Sequence, residues 1–284
     1  MRQIVIGLAG HIDHGKTAVV HALTGTNTDK LDEEIRRGMT IDIGFAFLND
    51  EITMIDVPGH EKFVKNMMTG VSSVDAALLV IAADDGVMPQ TREHFDILKL
   101  LEVKHGIIAL NKTDLVDKEW IDLVTADIEE MVAGSFLENA PIVPVSAELN
   151  TGFDELKEKL LEICSSIPEK KDRGIFRLWV DRVFTIRGFG TVVTGTVASG
   201  SANTGDSVEI LPTAKKVKIR GLQTHSKPVE QVRLGDRAAI NLQGVEKEEI
   251  ARGFQISTPG FFQSTDQLAA EISILPDAKK PVIQ

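Results

Sequence analysis

Eight consecutive residues, Gly10-His11-Ile12-Asp13-His14-Gly15-Lys16-Thr17, place two glycines ahead of a lysine and a hydroxyl. Glycine at those places lets the backbone N–H groups of Asp13, His14, Gly15, Lys16, Thr17 and Ala18 converge on one anion at a helix start, where the helix dipole adds attraction. Lys16 supplies a cation able to bridge two phosphates, and the Thr17 hydroxyl is a hard oxygen suited to Mg2+. This spacing points to the triphosphate of a nucleotide and its metal ion.

A second set, Asn111-Lys112-Thr113-Asp114, addresses the base. The Asp114 carboxylate can accept from both N1–H and the exocyclic amine of guanine, whereas adenine presents an acceptor at N1 and leaves the carboxylate unpaired. The expected ligand is therefore GTP, with GDP as its hydrolysis product. Asn111 and Lys112 belong to the same guanine set, and Ser146-Ala147 is expected to turn a backbone N–H toward guanine O6. Asp56-Val57-Pro58-Gly59-His60 completes the order, with Asp56 holding Mg2+ through water and the Gly59 N–H on the γ-phosphate. Thr40, in Arg37-Gly38-Met39-Thr40-Ile41-Asp42, is the natural second hydroxyl for Mg2+. His60 stands where Ras-like GTPases carry a glutamine, which makes it the candidate to position the attacking water.

These side chains need a frame that delivers them to one edge. Apolar runs at Ile4–Ala9, Thr53–Asp56, Ala76–Ala83, Gly106–Asn111 and Pro141–Val145 read as buried strands. Helical periodicity at Thr17–Leu23, Gln90–Leu101, Trp120–Leu137 and Gly152–Ser166 alternates with them, the pattern of a mostly parallel sheet with helices on both faces. From Ile175 the texture changes to β-branched runs broken by glycine, at Phe176–Val183, Gly190–Val197, Asp206–Ile210, Lys216–Leu222 and Arg237–Leu242. That is the texture of a small all-β barrel. The expected architecture is an α/β P-loop GTPase domain over 1–170, a β-barrel domain over 171–262, and the start of an incomplete third domain over 263–284, opened by a strand at Leu268–Ile274.

Composition narrows the function classes. The 284 residues are 43% hydrophobic and 26% charged, enough apolar side chain for folded cores and too much for a disordered chain. The longest apolar run, Ala76 to Ala83, is too short for a membrane span, and no signal-peptide pattern opens the chain, so the cytoplasm and no membrane partner are expected. A single cysteine, Cys164, excludes a disulfide framework and a multi-cysteine metal knuckle. The charge is split: 15 basic against 30 acidic residues over 1–170, net −15, and 16 against 12 over 171–284, net +4. The basic second part keeps an RNA partner open.

Taken together in this order, the four nucleotide phrases resemble the translational GTPases, and Phe184-Thr185-Ile186-Arg187-Gly188-Phe189-Gly190-Thr191-Val192-Val193-Thr194-Gly195 resembles their second, barrel domain. Within that family the stretch from Thr28 to Ala46, ending Asp42-Ile43-Gly44-Phe45-Ala46, is most similar to the selenocysteine-specific, SelB-type elongation factors. The resemblance implies a GTP-dependent carrier that binds selenocysteinyl-tRNA and delivers it to the ribosome, hydrolysing GTP. It also implies that mRNA-hairpin binding is not expected of this chain, because the C-terminal domain that carries it in such factors is absent here. Met39 departs from the isoleucine usual in the family. A general aminoacyl- or initiator-tRNA carrier, and a metabolic GTPase subunit with the same domain pair, remain the alternatives.

Comparison with elongation factor Tu suggests an aminoacyl pocket in the barrel. Arg182 follows Asp181 where that factor has a second acidic residue, Arg237 replaces a neutral one, and Gln223 and His225 lie on the neighbouring strand end. Two arginines converging on one pocket would favour an ionised selenol over the neutral hydroxyl of serine.

Overall fold

The computed structural model describes residues 3–28, 44–56, 74–225 and 227–270. The first half is a six-stranded sheet. Its strands are β1 (Ile4–Ala9), β2 (Gly44–Phe47), β3 (Ile52–Asp56), β4 (Ala76–Ala82), β5 (Gly106–Asn111) and β6 (Ile142–Pro144), in the spatial order β2-β3-β1-β4-β5-β6. All pairings are parallel except β2 with β3. Among the described residues, four α-helices follow their strands: α1 (Lys16–Thr24), α2 (Pro89–Leu100), α3 (Lys118–Val132) and α4 (Phe153–Ser166).

Strands β1, β4 and β5 are buried along their whole length, because each face of the sheet is covered. Ile4, Ile6, Leu8, Leu78, Val80 and Ile107 pack with Val19 and Val20 of α1 and Leu156 and Leu160 of α4. Alternate residues Val5, Leu79, Ile81, Ile108 and Leu110 pack on the other face with Phe95 and Leu98 of α2 and Val124 and Ile128 of α3. Period-two alternation along the strands thus builds two cores from one sheet. Cys164 is buried in the first of them, filling a helix face.

The expected helix at Trp120–Leu137 is corrected at both ends. Asp117 accepts from the Trp120 amide and starts the helix earlier. Ala133 leaves helical geometry and Gly134 is left-handed, φ 71°, so the helix stops at Val132 although apolar residues continue to Leu137.

The second half is all β: β7 (Arg177–Ile186), β8 (Gly190–Ser199), β9 (Ser201–Asn203), β10 (Ser207–Leu211), β11 (Lys215–Thr224), β12 (Lys227–Val229), β13 (Gln231–Arg233), β14 (Arg237–Gln243) and β15 (Gln255–Ser257). The order β10-β15-β7-β8-β14-β11 returns to β10, because β10 also pairs with β11. This closes an antiparallel six-stranded barrel, with β12 added outside on β11 and no free edge in the ring. Its interior holds Leu178, Val180, Val193, Val208, Ile219, Ile240 and Ile256. The short strands β2, β9, β12, β13 and β15 escape a reading of apolar periodicity because three or four residues carry too few alternations. No strand forms at 268–270, and the rest of the expected strand Leu268–Ile274 lies outside the described residues. Among the described residues, no helix is long and apolar enough to cross a membrane.

Candidate functional site

The motif Gly10–Thr17 lies between β1 and α1, at the carboxyl edge of the sheet. Gly15 caps α1 in the left-handed region, φ 82°, and a Cβ there would stand 2.4 Å from Asn111 Nδ2. Asn111, buried at the end of β5, uses that amide to donate to the His14 carbonyl at 3.1 Å. The residue expected to read the base therefore also splints the phosphate loop. Lys16 Nζ donates to the carbonyls of Gly10 at 3.1 Å and His11 at 2.8 Å, lying over the loop it was expected to serve.

Three histidines surround this loop. His14 and His94 are fully buried. Desolvation, with the neighbouring His11 and Lys16 charges, pushes His14 down to about 3 and His94 down to about 4, so both rings are neutral at pH 7. Burial and Lys16 also lower His11. Asp85 approaches His14 Nε2 at 3.9 Å.

The residues expected to read the base lie together at this edge. Ser146 Oγ accepts from the Leu149 amide at 3.0 Å, which directs its hydroxyl proton onto Asp114 Oδ1 at 2.5 Å and fixes the carboxylate. Lys112, left-handed at φ 60°, reaches Asp84 at 3.5 Å. The Ser146-Ala147 amides, however, already have protein partners: Ser146 N–H donates to the Thr151 carbonyl at 3.1 Å and Ala147 N–H to Asn111 Oδ1 at 3.1 Å. The Ser146 side chain also orients Asp114.

At the expected metal position, Asp56 ends β3 fully buried. Its Oδ2 accepts from Thr17 Oγ1 at 2.8 Å and Thr28 Oγ1 at 2.6 Å. A carboxylate and two hydroxyls are hard oxygen donors, a set that fits Mg2+. Thr28 was not foreseen. Its signal lies in Gly44, the cross-strand partner of Asp56: a Cβ there would stand 2.5 Å from Thr28 Cβ and 3.3 Å from Asp56 Cβ, so only glycine admits the threonine. Thr40, Gly59 and His60 lie outside the described residues.

The barrel residues assemble around β2. A bulge in β7 between Val180 and Arg182 breaks the alternation at Asp181 and brings neighbouring side chains to one side. Asp181, buried, is bound by both terminal nitrogens of Arg237 and accepts from Thr194 Oγ1 at 2.7 Å. The Phe45 ring lies 3.6 Å from Arg237 Cζ and 5.8 Å from Arg182 Cζ, and the Phe47 ring stacks 4.2 Å from His225. Asp181, expected in the same pocket, offsets the charge of Arg237, and Phe45 covers one face of its guanidinium. Gln223 lies further along β11 on the rim of an outer groove of about 490 Å3, floored by Phe184, Ile186, Val192, Leu222 and Pro228. Arg220 and Asn241 both donate to the Phe189 carbonyl and hold the hairpin tip at its mouth. The Phe184-Thr185-Ile186 alternation carried this signal.

A nucleotide-binding α/β sheet joined to a closed β-barrel is the class of protein that fold and site define. The family descriptions "Elongation factor Tu GTP binding domain" and "Elongation factor Tu domain 2" match residues 1–166 and 190–257. The chain belongs to the elongation factor Tu family of GTP-binding translation factors. Selenocysteine-specific factors are among its relatives. The selenocysteine-specific elongation factor of Desulfomicrobium baculatum is 47% identical over 283 residues, 98% of this chain and 45% of that protein. A crystal structure of a bacterial selenocysteine-specific elongation factor, EF-Sec, is similar with a TM-score of 0.86 and 37% identity, covering 90% of this chain and 45% of that one. SelB from Methanococcus maripaludis, in complex with the GTP analogue GppNHp, has a TM-score of 0.81 and 32% identity, covering 91% and 55%. The chain thus spans about half the length of these relatives.

Proposed function

We propose that this chain binds GTP with Mg2+, hydrolyses it to GDP and phosphate, and in its GTP state holds selenocysteinyl-tRNA for delivery to the ribosome in the cytoplasm. In this reading the loop amides from Asp13 to Ala18, with Lys16 and the Gly59 amide, bind the phosphates. Asp114, aimed by Ser146 and flanked by Asn111 and Lys112, reads guanine. Thr17, Thr40 and Asp56 hold Mg2+, which when bound neutralises charge building on the β- and γ-phosphate oxygens. His60 orients the attacking water. The sheet domain over 1–170 carries this chemistry; the barrel domain over 171–262 takes the aminoacylated 3′ end, a base stacking in the groove at Phe184 and Ile186 and the amino acid lying toward Arg182 and Arg237.

The observation that carries the reading is one strand. β2 pairs at Gly44 with Asp56 of the metal position and lays Phe45 on Arg237, so the nucleotide site and the cationic pocket share an element. The test is a binding assay of this chain with selenocysteinyl-, cysteinyl- and seryl-tRNA, run with a non-hydrolysable GTP analogue and again with GDP. Retention of selenocysteinyl-tRNA alone, and only with the analogue, is expected. Equal retention of all three leaves a carrier of other cargo, and retention of none removes the carrier role.

A further inference from the structure

Two polar contacts at the phosphate loop serve neither the phosphates, the metal nor the base. Gly10 N–H donates to Nδ1 of His94 at 3.2 Å, and Ile12 N–H donates to Oε1 of Gln90 at 3.2 Å. Both acceptors stand on α2, four residues apart and therefore on the same helix face, in step with loop residues two apart. The loop is 78 and 84 residues away from them in sequence. We propose that Gln90 and His94 are positioning residues of the nucleotide site, which tie the first turn of the phosphate loop to α2 and so set the rate at which nucleotide is released. This rests on the GTP-binding reading above.

The chemistry of the contacts supports a built device. Accepting at Nδ1 requires a neutral His94 with its proton on Nε2, and burial beside Lys16 and His11 holds the ring in that form. That tautomer leaves Nε2–H buried with no hydrogen-bond partner among the described residues. A leucine would fill the same space without stranding a donor, so packing alone does not account for histidine here. The tie also divides the loop's labour. The Gly10 and Ile12 amides are bonded to the helix, and in the GTP-binding reading the phosphates fall to the amides from Asp13 to Ala18. Lys16 donates to the Gly10 and His11 carbonyls of the same turn that the α2 contacts hold. The same helix packs Phe95 and Leu98 into the sheet core, so it is a rigid anchor.

The experiment follows release of a fluorescent GDP (N-methylanthraniloyl-GDP) from the chain by stopped flow, with association measured separately. His94→Leu and Gln90→Met remove the acceptors at similar volume. His94→Asn keeps an acceptor near the Nδ1 position and is the rescue. Release is expected to quicken roughly tenfold in each of the first two, with association rates nearly unchanged, and to return toward wild type in His94→Asn. Thermal unfolding is measured alongside: a merely structural role would lower the unfolding temperature of His94→Leu without a selective change in release or rescue by asparagine. Unchanged release in both acceptor-less variants, with normal wild-type binding, overturns the proposal alone. A wild-type chain that binds no guanine nucleotide overturns both this proposal and the GTP reading.

Discussion

Asp114 meets two demands that a carboxylate can satisfy at once. One oxygen takes the Ser146 hydroxyl, and in the proposed reading the remaining lone pairs serve the base. In Asp114→Asn, an amide donor would confront the guanine amine. GTP affinity is expected to fall by about 2 to 4 kcal/mol while xanthosine triphosphate gains, as competitive titration with the two nucleotides would read. Unchanged GTP affinity would remove Asp114 from base reading. The two barrel arginines divide in a similar way. Arg237→Ala strands the buried Asp181 carboxylate and is expected to cost roughly 3 kcal/mol in urea unfolding. Arg182→Ala is expected to weaken selenocysteinyl-tRNA more than seryl-tRNA in competition binding. Equal loss for both tRNAs would make Arg182 a phosphate contact.

At the scale of elements, β2 explains a phrase that the sequence marks only by likeness. Gly44 clears space for Thr28 at Asp56, Ala46 is buried in the sheet core, and Phe45 and Phe47 face the barrel. Each residue of the strand thus has a different neighbour to satisfy. Gly44→Ala is expected to push Thr28 off Asp56, lower stability by about 1 to 3 kcal/mol and weaken Mg2+-dependent nucleotide binding. Calorimetric titration of nucleotide with and without Mg2+ measures this. An alanine variant with wild-type Mg2+ dependence would show that the threonine is incidental.

For the molecule as a whole, the buried histidines couple the phosphate loop to stability. His94 faces Lys16 and His11, and His14 faces His11, Lys16, Lys112 and Asp85; both titrate below their ordinary 6.5. In the unfolded chain they take up protons near pH 6.5, while the folded chain does not until about pH 4 for His94. The unfolded state therefore binds more protons between those values, and stability is complete above 6.5 and falls as the pH drops through this window. The His94 contribution lost is on the order of 3 kcal/mol. Urea unfolding at pH 7 and pH 4.5 should show the drop, and His94→Leu should show less of it; an equal drop in the variant would assign it to other groups.

The phosphate motif, the guanine phrase, the alternation of strands and helices and the barrel texture were legible because each depends on residues close in sequence. A Gly-rich turn carries its own amides, and a buried strand declares itself by apolar side chains. What needed the tertiary structure are partners far apart in the chain. Asn111 reaches His14 across 97 residues and Arg237 meets Asp181 across 56, distances over which only sheet order and register decide who meets. The bulge at Asp181 is a one-residue slip in pairing that no periodicity announces, yet it decides that Arg237 is matched by a carboxylate. By itself the sequence determined that this protein carries a guanine-nucleotide site of the translation-factor kind followed by a barrel. The fold decided how the site is braced, because a hydrogen bond needs its two atoms within about 3 Å, and only the packed sheet brings α2, β3 and β5 that close to the loop.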